Sequence, residues 1–260
     1  IGALTGTIVG IYVRGTPAVF HLPLVIFVGF LGGGLWGILA GFLKTRFGAS
    51  EIITTVMLNT VAIKFVEFMV NGPLIEPPGI NNQTSPVLES ARLTKILPET
   101  RAHWGFLVAL VCILLFWIFL WKSKKGYEVR VAGLNTDAAR YAGIKINENI
   151  LLVTFLAGGL AGLAGCIEII GVQGRMVPSI SPGYGFDGIA VSLIGGNTPA
   201  GIVFGALLFG AFRAGGNRMQ MRTQTPTSIV SVIQALVIIS VVCSSVLLER
   251  LDARRFKRSE

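Results

Sequence analysis

Side chains able to perform catalysis are few in this 260-residue sequence, and they do not converge. The two histidines, His21 and His103, fall in segments that we interpret as external loops. Neither a Ser/His/Asp arrangement nor a GxxxxGK[ST] motif for ATP phosphates occurs. The three cysteines lie singly in apolar runs, without metal-ligand or disulfide spacing: Cys112, Cys166 and Cys243. We therefore predict a protein that is not an enzyme and that carries no metal or cofactor.

Polar side chains inside apolar stretches offer a second kind of chemistry, which is binding. Residues 51–70 read EIITTVMLNTVAIKFVEFMV and contain Asn59, Lys64 and Glu67. Lys64 and Glu67 are three positions apart, so they can pair on one face of a helix. Polar residues within a membrane span usually face a bundle interior or an aqueous path. Asn59 either lines such a path or bonds a neighbouring helix, and the residues favour neither.

The composition defines the elements that must position these residues. The chain is 52% hydrophobic and only 13% charged, with a mean hydropathy of +0.71. This balance predicts an all-α, polytopic transmembrane helical bundle in a cell membrane, with the lipid bilayer as partner. The net charge of +9 lies largely in clusters beside apolar spans, which is typical of membrane topology. A nucleic-acid site would need a polar domain with interleaved aromatic residues, so we predict no nucleic-acid partner.

Apolar runs predict the spans. Residues 1–13 resemble the end of a span, and a loop bounded by Pro17 and Pro23 follows. Further spans are predicted at residues 22–43, 51–70, 104–121, 150–171, 201–212 and 229–248. The Pro and Gly density near residues 178–185, with a short apolar run after it, predicts a broken or half-helix element near residues 174–200.

Glycines recur about one helical turn apart in two of the predicted spans, and such small residues let helix backbones approach closely. They are Gly29, Gly33, Gly37 and Gly41 in one span, and Gly158, Gly159, Gly162 and Gly165 in the other.

Basic clusters orient the predicted spans. Lys44 and Arg46 follow one span and Lys122, Lys124 and Lys125 follow another, which places both ends in the cytoplasm. Residues 71–103 then form an external loop with residues 81–86 exposed, and the basic tail at residues 249–260 is cytoplasmic. This parity requires residues 184–196 to cross or nearly cross the membrane. It leaves three arginines outside, against the charge rule: Arg213, Arg218 and Arg222.

Residues 122–149 form a polar cytoplasmic loop between two spans. Asn135 is a predicted N-cap, Asp137 lies in the first turn where the helix dipole favours negative charge, and Gly143 ends the helix. A short helix here suits docking by a soluble partner. The alternative is a solvated loop that only fixes topology, and the residues alone leave the two about even.

Three blocks of the sequence resemble the signatures of one family. They are EIITTVMLN at residues 51–59, GYEVRVAGLNTDAARYAGI at 126–144 and SPGYGFDGIAVSLIGGNTPAG at 181–201. They resemble those of ABC importer permeases of the branched-chain amino acid and ribose permease superfamily. Within it, the similarity is to nucleoside and simple-sugar permeases that work with a basic-membrane-protein-type binding lipoprotein. The resemblance covers residues 22–242.

This resemblance implies a permease subunit that forms a translocation path and works by alternating access. It implies two cytoplasmic ATP-binding subunits, a second permease subunit, often in a heterodimer, and an external substrate-binding lipoprotein. Residues 1–248 would form one permease domain. Full members of the family have several additional spans before Leu22, and the chain begins at Ile1 without a methionine, so we expect an N-terminally incomplete sequence.

The resemblance also implies roles for particular residues. The coupling helix would run from Asn135 to Gly143, with four residues facing the ATP-binding subunit: Asp137, Ala138, Ala139 and Arg140. The family usually carries a proline near Thr136, and this chain departs from that pattern.

A nucleoside presents a flat base and ribose hydroxyls, so its path needs aromatic faces and amide or carboxylate partners. Six residues supply such groups: Asn59, Glu168, Gln173, Phe186, Asp187 and Gln234. Structural alternatives compete with this interpretation. Asp187 would cap the half-helix, Glu168 would pair with Arg175, and Gln234 would bond another helix.

An ion-coupled secondary transporter or channel for a small polar solute is the alternative function. It needs charged residues buried at mid-span, and Lys64 with Glu67 is the only pair that the sequence offers for it.

Overall fold

The computed structural model describes residues 1–96, 103–178, 180, 181, 183–223, 229, 232, 233, 235–237, 239 and 240. The chain divides into two compact units, with the boundary between Ile180 and Ser181. The predicted all-α bundle with a half-helix element is confirmed. The single permease domain over residues 1–248 stays a prediction, and the predicted last span and basic tail lie largely or wholly outside the described residues.

In the described residues up to Thr223 the chain forms nine α-helices. In order they are α1 Gly2–Tyr12, α2 Ala18–Phe47, α3 Glu51–Asn71, α4 Gly105–Lys122, α5 Lys124–Leu134, α6 Thr136–Tyr141, α7 Ile146–Glu168, α8 Tyr184–Ile194 and α9 Pro199–Thr223.

Helix α2 begins four residues before its predicted start, so the loop predicted to reach Pro23 was wrong in its second half. Proline lacks only its own N–H, and a long membrane helix tolerates that loss. His21 therefore lies inside α2 and not in an external loop. It is fully buried, with Nδ1 2.8 Å from the Ser90 hydroxyl and Nε2 3.3 Å from the Val9 carbonyl oxygen.

The tightest packing in the first unit joins α2 to α7 along the predicted glycines. A Cβ atom built on Gly33 would overlap the carbonyl oxygen of Gly158 and lie 2.7 Å from the Gly162 Cα atom. One built on Gly158 would lie 2.9 Å from the Gly37 Cα atom. The two helices thus pack backbone against backbone at these glycines, where dispersion contacts are close. We call this contact the glycine seam.

Residues 72–96 cover one end of the first unit, and we call this segment the cap. Thr84 donates its backbone N–H to the Met176 carbonyl oxygen at 3.0 Å and accepts the Met176 N–H on its hydroxyl at 3.1 Å. The N–H groups of Val87 and Leu93 bond to Gly174 and Ile170 at 2.9 and 3.0 Å. Thr84 is fully buried, so the prediction that residues 81–86 are exposed was wrong at this position.

The apolar core lies beneath the cap. A π-helical turn, Ile169–Gln173, follows α7 and ends at Gly174, whose φ of 68° suits glycine. This turn packs apolar side chains together with those of α1, the end of α3 and the start of α2. The core comprises Ala3, Leu4, Val25, Val66, Val70, Leu74, Val87, Ala91, Leu93, Cys166, Ile167, Ile169, Ile170 and Met176.

The second unit contains a helical hairpin of α8 and α9. Helix α8 has 11 residues and a length of about 16 Å, which is too short to span a bilayer. The Thr198 hydroxyl accepts the Gly201 N–H at 3.2 Å and caps α9. Helix α9 extends beyond the span predicted at residues 201–212 and continues to Thr223 through residues that favour helix, such as Met, Gln and Arg.

Replacement of Gly33 by alanine tests the glycine seam. The new methyl group meets fixed backbone, so we expect Gly33→Ala to destabilise the detergent-solubilised protein by about 1–3 kcal/mol. Gly210→Ala is the matched control, since a Cβ atom there would meet no described residue outside its own helix within 4 Å, and alanine favours helix. Heating followed by size-exclusion chromatography measures both variants. Equal midpoints for the two would contradict close packing at the seam.

Candidate functional site

The connection between α4 and α7 is built as two short helices. Ser123 caps α5, because its hydroxyl accepts the Gly126 N–H at 2.9 Å. A Cβ atom on Gly126 would overlap the Phe119 carbonyl oxygen and lie 2.7 Å from the Leu120 Cα atom. This close approach folds α5 back onto the end of α4 and sets the position of α6.

Helix α6 is held by bonds at both ends. The Asn135 side-chain oxygen accepts the N–H groups of Asp137 and Ala138, both at 3.0 Å. At the other end the Gly143 N–H bonds to Arg140 at 2.9 Å and the Ile144 N–H bonds to Ala139 at 3.0 Å, with Gly143 at φ 75°. These are the bonds of a Schellman motif. The predicted N-cap and the predicted helix end are both confirmed.

The surface of α6 is mostly open. Ala139 is fully buried and anchors the helix, whereas Asp137, Ala138, Arg140 and Gly143 are exposed. Tyr141 is 95% exposed, and Leu134, just before the helix, is 89% exposed. Two large apolar side chains exposed at the two ends of α6 are typical of a protein contact.

Lysine and glutamate pairs surround α6. Lys125 donates to Glu128 at 2.8 Å, and this hydrogen bond lowers the pKa of the Glu128 carboxyl. Lys145 donates to Glu148 at 2.7 Å, and this bond raises the pKa of the Lys145 amine. Each pair joins one basic and one acidic side chain. They leave the surplus positive charge of the region on Lys122, Lys124 and the arginines.

The pathway candidates occupy different depths in the first unit. Asn59 is exposed on α3, twelve residues before Asn71, or about 18 Å below the cap end. Glu168 is half-buried at the end of α7, and Gln173 is exposed in the π-helical turn. The structure therefore does not bring Asn59 together with Glu168 and Gln173. Gln234 lies outside the described residues.

The predicted pairing of Glu168 with Arg175 was wrong. Arg175 pairs instead with Glu76 of the cap, and the same carboxylate accepts the Gln83 side-chain N–H at 2.9 Å. The turn after α7 directs Arg175 toward the cap, whose backbone pairs with that turn. The cap is thus fixed to α7 by side chains as well as by backbone.

Asp187 lies in the second unit. The structural alternative, that it caps α8, was wrong. Gly183 occupies the cap position without a side-chain bond, and Asp187 accepts a hydrogen bond from Arg213 of α9 at 2.5 Å. The Arg213 guanidinium also lies over the Tyr184 ring, 4.3 Å from its centroid. Phe186 beside them is 79% exposed. Sequence reasoning missed Arg213, although a basic residue in an apolar span signals a buried or functional partner.

Five helices in the described part of the chain are long and apolar enough to cross a bilayer: α2, α3, α4, α7 with its π-helical turn, and α9. Together with the close glycine packing between α2 and α7, they define a multi-pass membrane protein. The chain belongs to the family described as branched-chain amino acid transport system, permease component, whose profile matches residues 1–242.

Curated relatives agree with this family. The chain is 36% identical to the guanosine ABC transporter permease protein NupP of Bacillus subtilis, over 88% of this chain and 66% of that protein. It is 33% identical to the nucleoside ABC transporter permease protein NupB of Lactococcus lactis, over 85% and 63%. It is 32% identical to the glucose ABC transporter permease protein TsgB13 of Haloferax volcanii, over 94% and 67%.

The chain therefore spans about two thirds of the length of these relatives. No solved structure gives a significant match to it.

Charge exchange tests the Asp187–Arg213 pair. We expect Asp187→Arg and Arg213→Asp each to lower the yield of folded protein, because each places two like charges side by side between two apolar helices. The double variant restores the attraction and should recover more than either single variant. Size-exclusion profiles of the detergent extract measure all three. A double variant no better than the worse single variant would mean that the contact does not hold α8.

Proposed function

We propose that this chain is a permease subunit of an ATP-driven ABC importer that carries nucleosides or simple sugars across the cell membrane by alternating access. Family membership supports the class, and relatives named for guanosine, nucleoside and glucose transport support the solute class. The observation that carries the proposal is α6, a helix held at both ends with an open surface between two spanning helices.

The basic end of the first unit faces the cytoplasm in this proposal. Lys44 and Arg46 lie in the last turn of α2, and Lys122 ends α4. The starts of α2 and α4 contact the end of α7, which lies next to the cap. The basic residues at the other ends of α2 and α4 therefore lie at the opposite end of the first unit from the cap. The positive-inside rule then places α6 in the cytoplasm and the cap outside. The basic C-terminal tail is cytoplasmic in the same arrangement.

Separate cytoplasmic ATP-binding subunits hydrolyse ATP and dock on α6. Arg140 meets acidic groups of the partner, while Leu134 and Tyr141 supply apolar contact. This chain is then a transport subunit without catalysis of its own. A second permease subunit, in a heterodimer, completes the path, and an external binding lipoprotein delivers the solute to the cap side.

The pathway residues contact the solute only weakly, because the lipoprotein supplies affinity. Phe186 offers an exposed aromatic face for a base, and Asp187 beside it accepts hydrogen bonds from hydroxyl groups. In the first unit, Asn59 and Gln173 offer exposed amides and Glu168 offers a half-buried carboxylate. Gln234 completes the set as a sequence-based proposal.

A secondary transporter is the second candidate, and one observation favours it. Lys64 and Glu67 form the predicted pair at 2.8 Å inside α3. Reconstituted protein that transports without ATP and without an ATP-binding subunit would establish this alternative and overturn the importer.

Charge reversal on α6 tests the importer. We expect Arg140→Glu to abolish co-purification of the ATP-binding subunit from detergent, while insertion and folding stay normal because Arg140 is exposed. Arg14→Glu is the matched control, since Arg14 is also exposed but precedes α2, at its opposite end from Lys44. Mass spectrometry of the eluate identifies the partners. Capture of the ATP-binding subunit by both variants alike would remove α6 as the docking site.

A further inference from the structure

A polar stripe runs along the outer half of α3. Its members are Thr60, Lys64, Glu67 and Asn71, spaced so that at 3.6 residues per turn they fall within an arc of about 60°. We call these four residues the α3 stripe. Asn59 lies about 110° away from its centre, so it belongs to another face of the helix.

The stripe lies within the membrane. Helix α3 has 21 residues and a length of about 31 Å, close to the hydrocarbon thickness of a bilayer. Thr60 stands next to the helix midpoint, and Glu67 lies about 6 Å below its outer end. Lys64 reaches outward to Glu67, and their charged groups meet at 2.8 Å.

The described residues of the first unit leave the stripe exposed. The Lys64 and Glu67 side chains are 73% and 36% exposed. The residues of α3 that are buried are Val66 and Val70, which face the core about 110° around the helix. An apolar face with Phe65 and Phe68 lies on the other side of the stripe and suits lipid.

Contact with lipid is energetically unfavourable for this surface. Charged side chains in hydrocarbon carry a large desolvation cost, and pairing offsets it only in part because lipid offers no further hydrogen bonds. Thr60 and Asn71 add polar groups on the same line. A polar stripe of this kind between an apolar lipid face and a core face is what a helix presents to water inside a membrane protein.

We propose that the α3 stripe lines a water-filled outer part of the translocation route and contacts a neutral, hydroxyl-bearing solute. The proposal rests on the transport function proposed above for its solute. The Lys64–Glu67 pair has no net charge, so it selects neither cations nor anions. Glu67 accepts hydrogen bonds from hydroxyls, Lys64 donates them, and Thr60 and Asn71 do both.

Thiol labelling tests the water-filled route. Thr60→Cys is a mild change, since the Thr60 hydroxyl donates to the Val56 carbonyl oxygen of its own helix at 3.2 Å. Phe65→Cys is the control on the apolar face, about 7–8 Å nearer the outer end of α3 than Thr60 and so closer to the reagent; Phe65 is 45% exposed and about 130° from the stripe. A membrane-impermeant trimethylammonium methanethiosulfonate is added to cells that express the full-length protein. The unsubstituted protein gives the background from its own cysteines.

We expect Thr60→Cys to react about tenfold faster than Phe65→Cys, because only a thiol in water forms the reactive thiolate. Guanosine or glucose added in excess should slow the Thr60→Cys reaction and leave the control unchanged. Equal, background-level rates at both positions would overturn the proposal, as would fast labelling that neither solute slows.

Labelling requires neither ATP nor an ATP-binding subunit, so the two proposals fail separately. Fast and solute-sensitive labelling without ATP-driven uptake would overturn the importer and keep the stripe. Normal ATP-driven uptake with background labelling would overturn the stripe and keep the importer.

Discussion

The glycine seam between α2 and α7 is the contact on which the first unit depends. Lipid tails are as apolar as leucine side chains, so burial of apolar surface does little to join helices within a membrane. Close packing must do so instead, and it requires backbones near each other at Gly33, Gly37, Gly158 and Gly162. The seam aligns the outer ends of both helices, where the π-helical turn and the cap close the core over them.

Much of this fold could be predicted because its signals are local. Apolar length predicts each long span, and the caps of α6 follow from Asn135 and Gly143 through bonds to residues at most three positions away. Boundaries were wrong where a local rule was overridden. Proline normally breaks a helix, yet α2 passes through Pro23, because a membrane span gains more from continuing than it loses in one hydrogen bond.

The remaining features depend on partners distant in sequence. Thr84 is buried by backbone bonds to Met176, 92 positions away, and nothing near Thr84 predicts them. Asp187 and Arg213 meet only because the hairpin turn brings α8 against α9. When Arg213 is considered alone, it contradicts the positive-inside rule, because the predicted topology places it outside. Its pairing with Asp187 supplies a structural reason for a basic residue in that helix.

The distance along the chain between the halves of the seam has a consequence for biogenesis. A ribosome that has finished α2 must still make 121 residues, from 47 to 168, before α7 is complete, which takes roughly 6–24 s at 5–20 residues per second. During this interval α2 lies in the lipid, and its glycine face is not yet packed against α7. Exposure of this face to lipid costs little free energy, because it carries no charges or hydrogen-bonding side chains. Helices that are synthesised many seconds apart can therefore still assemble after insertion.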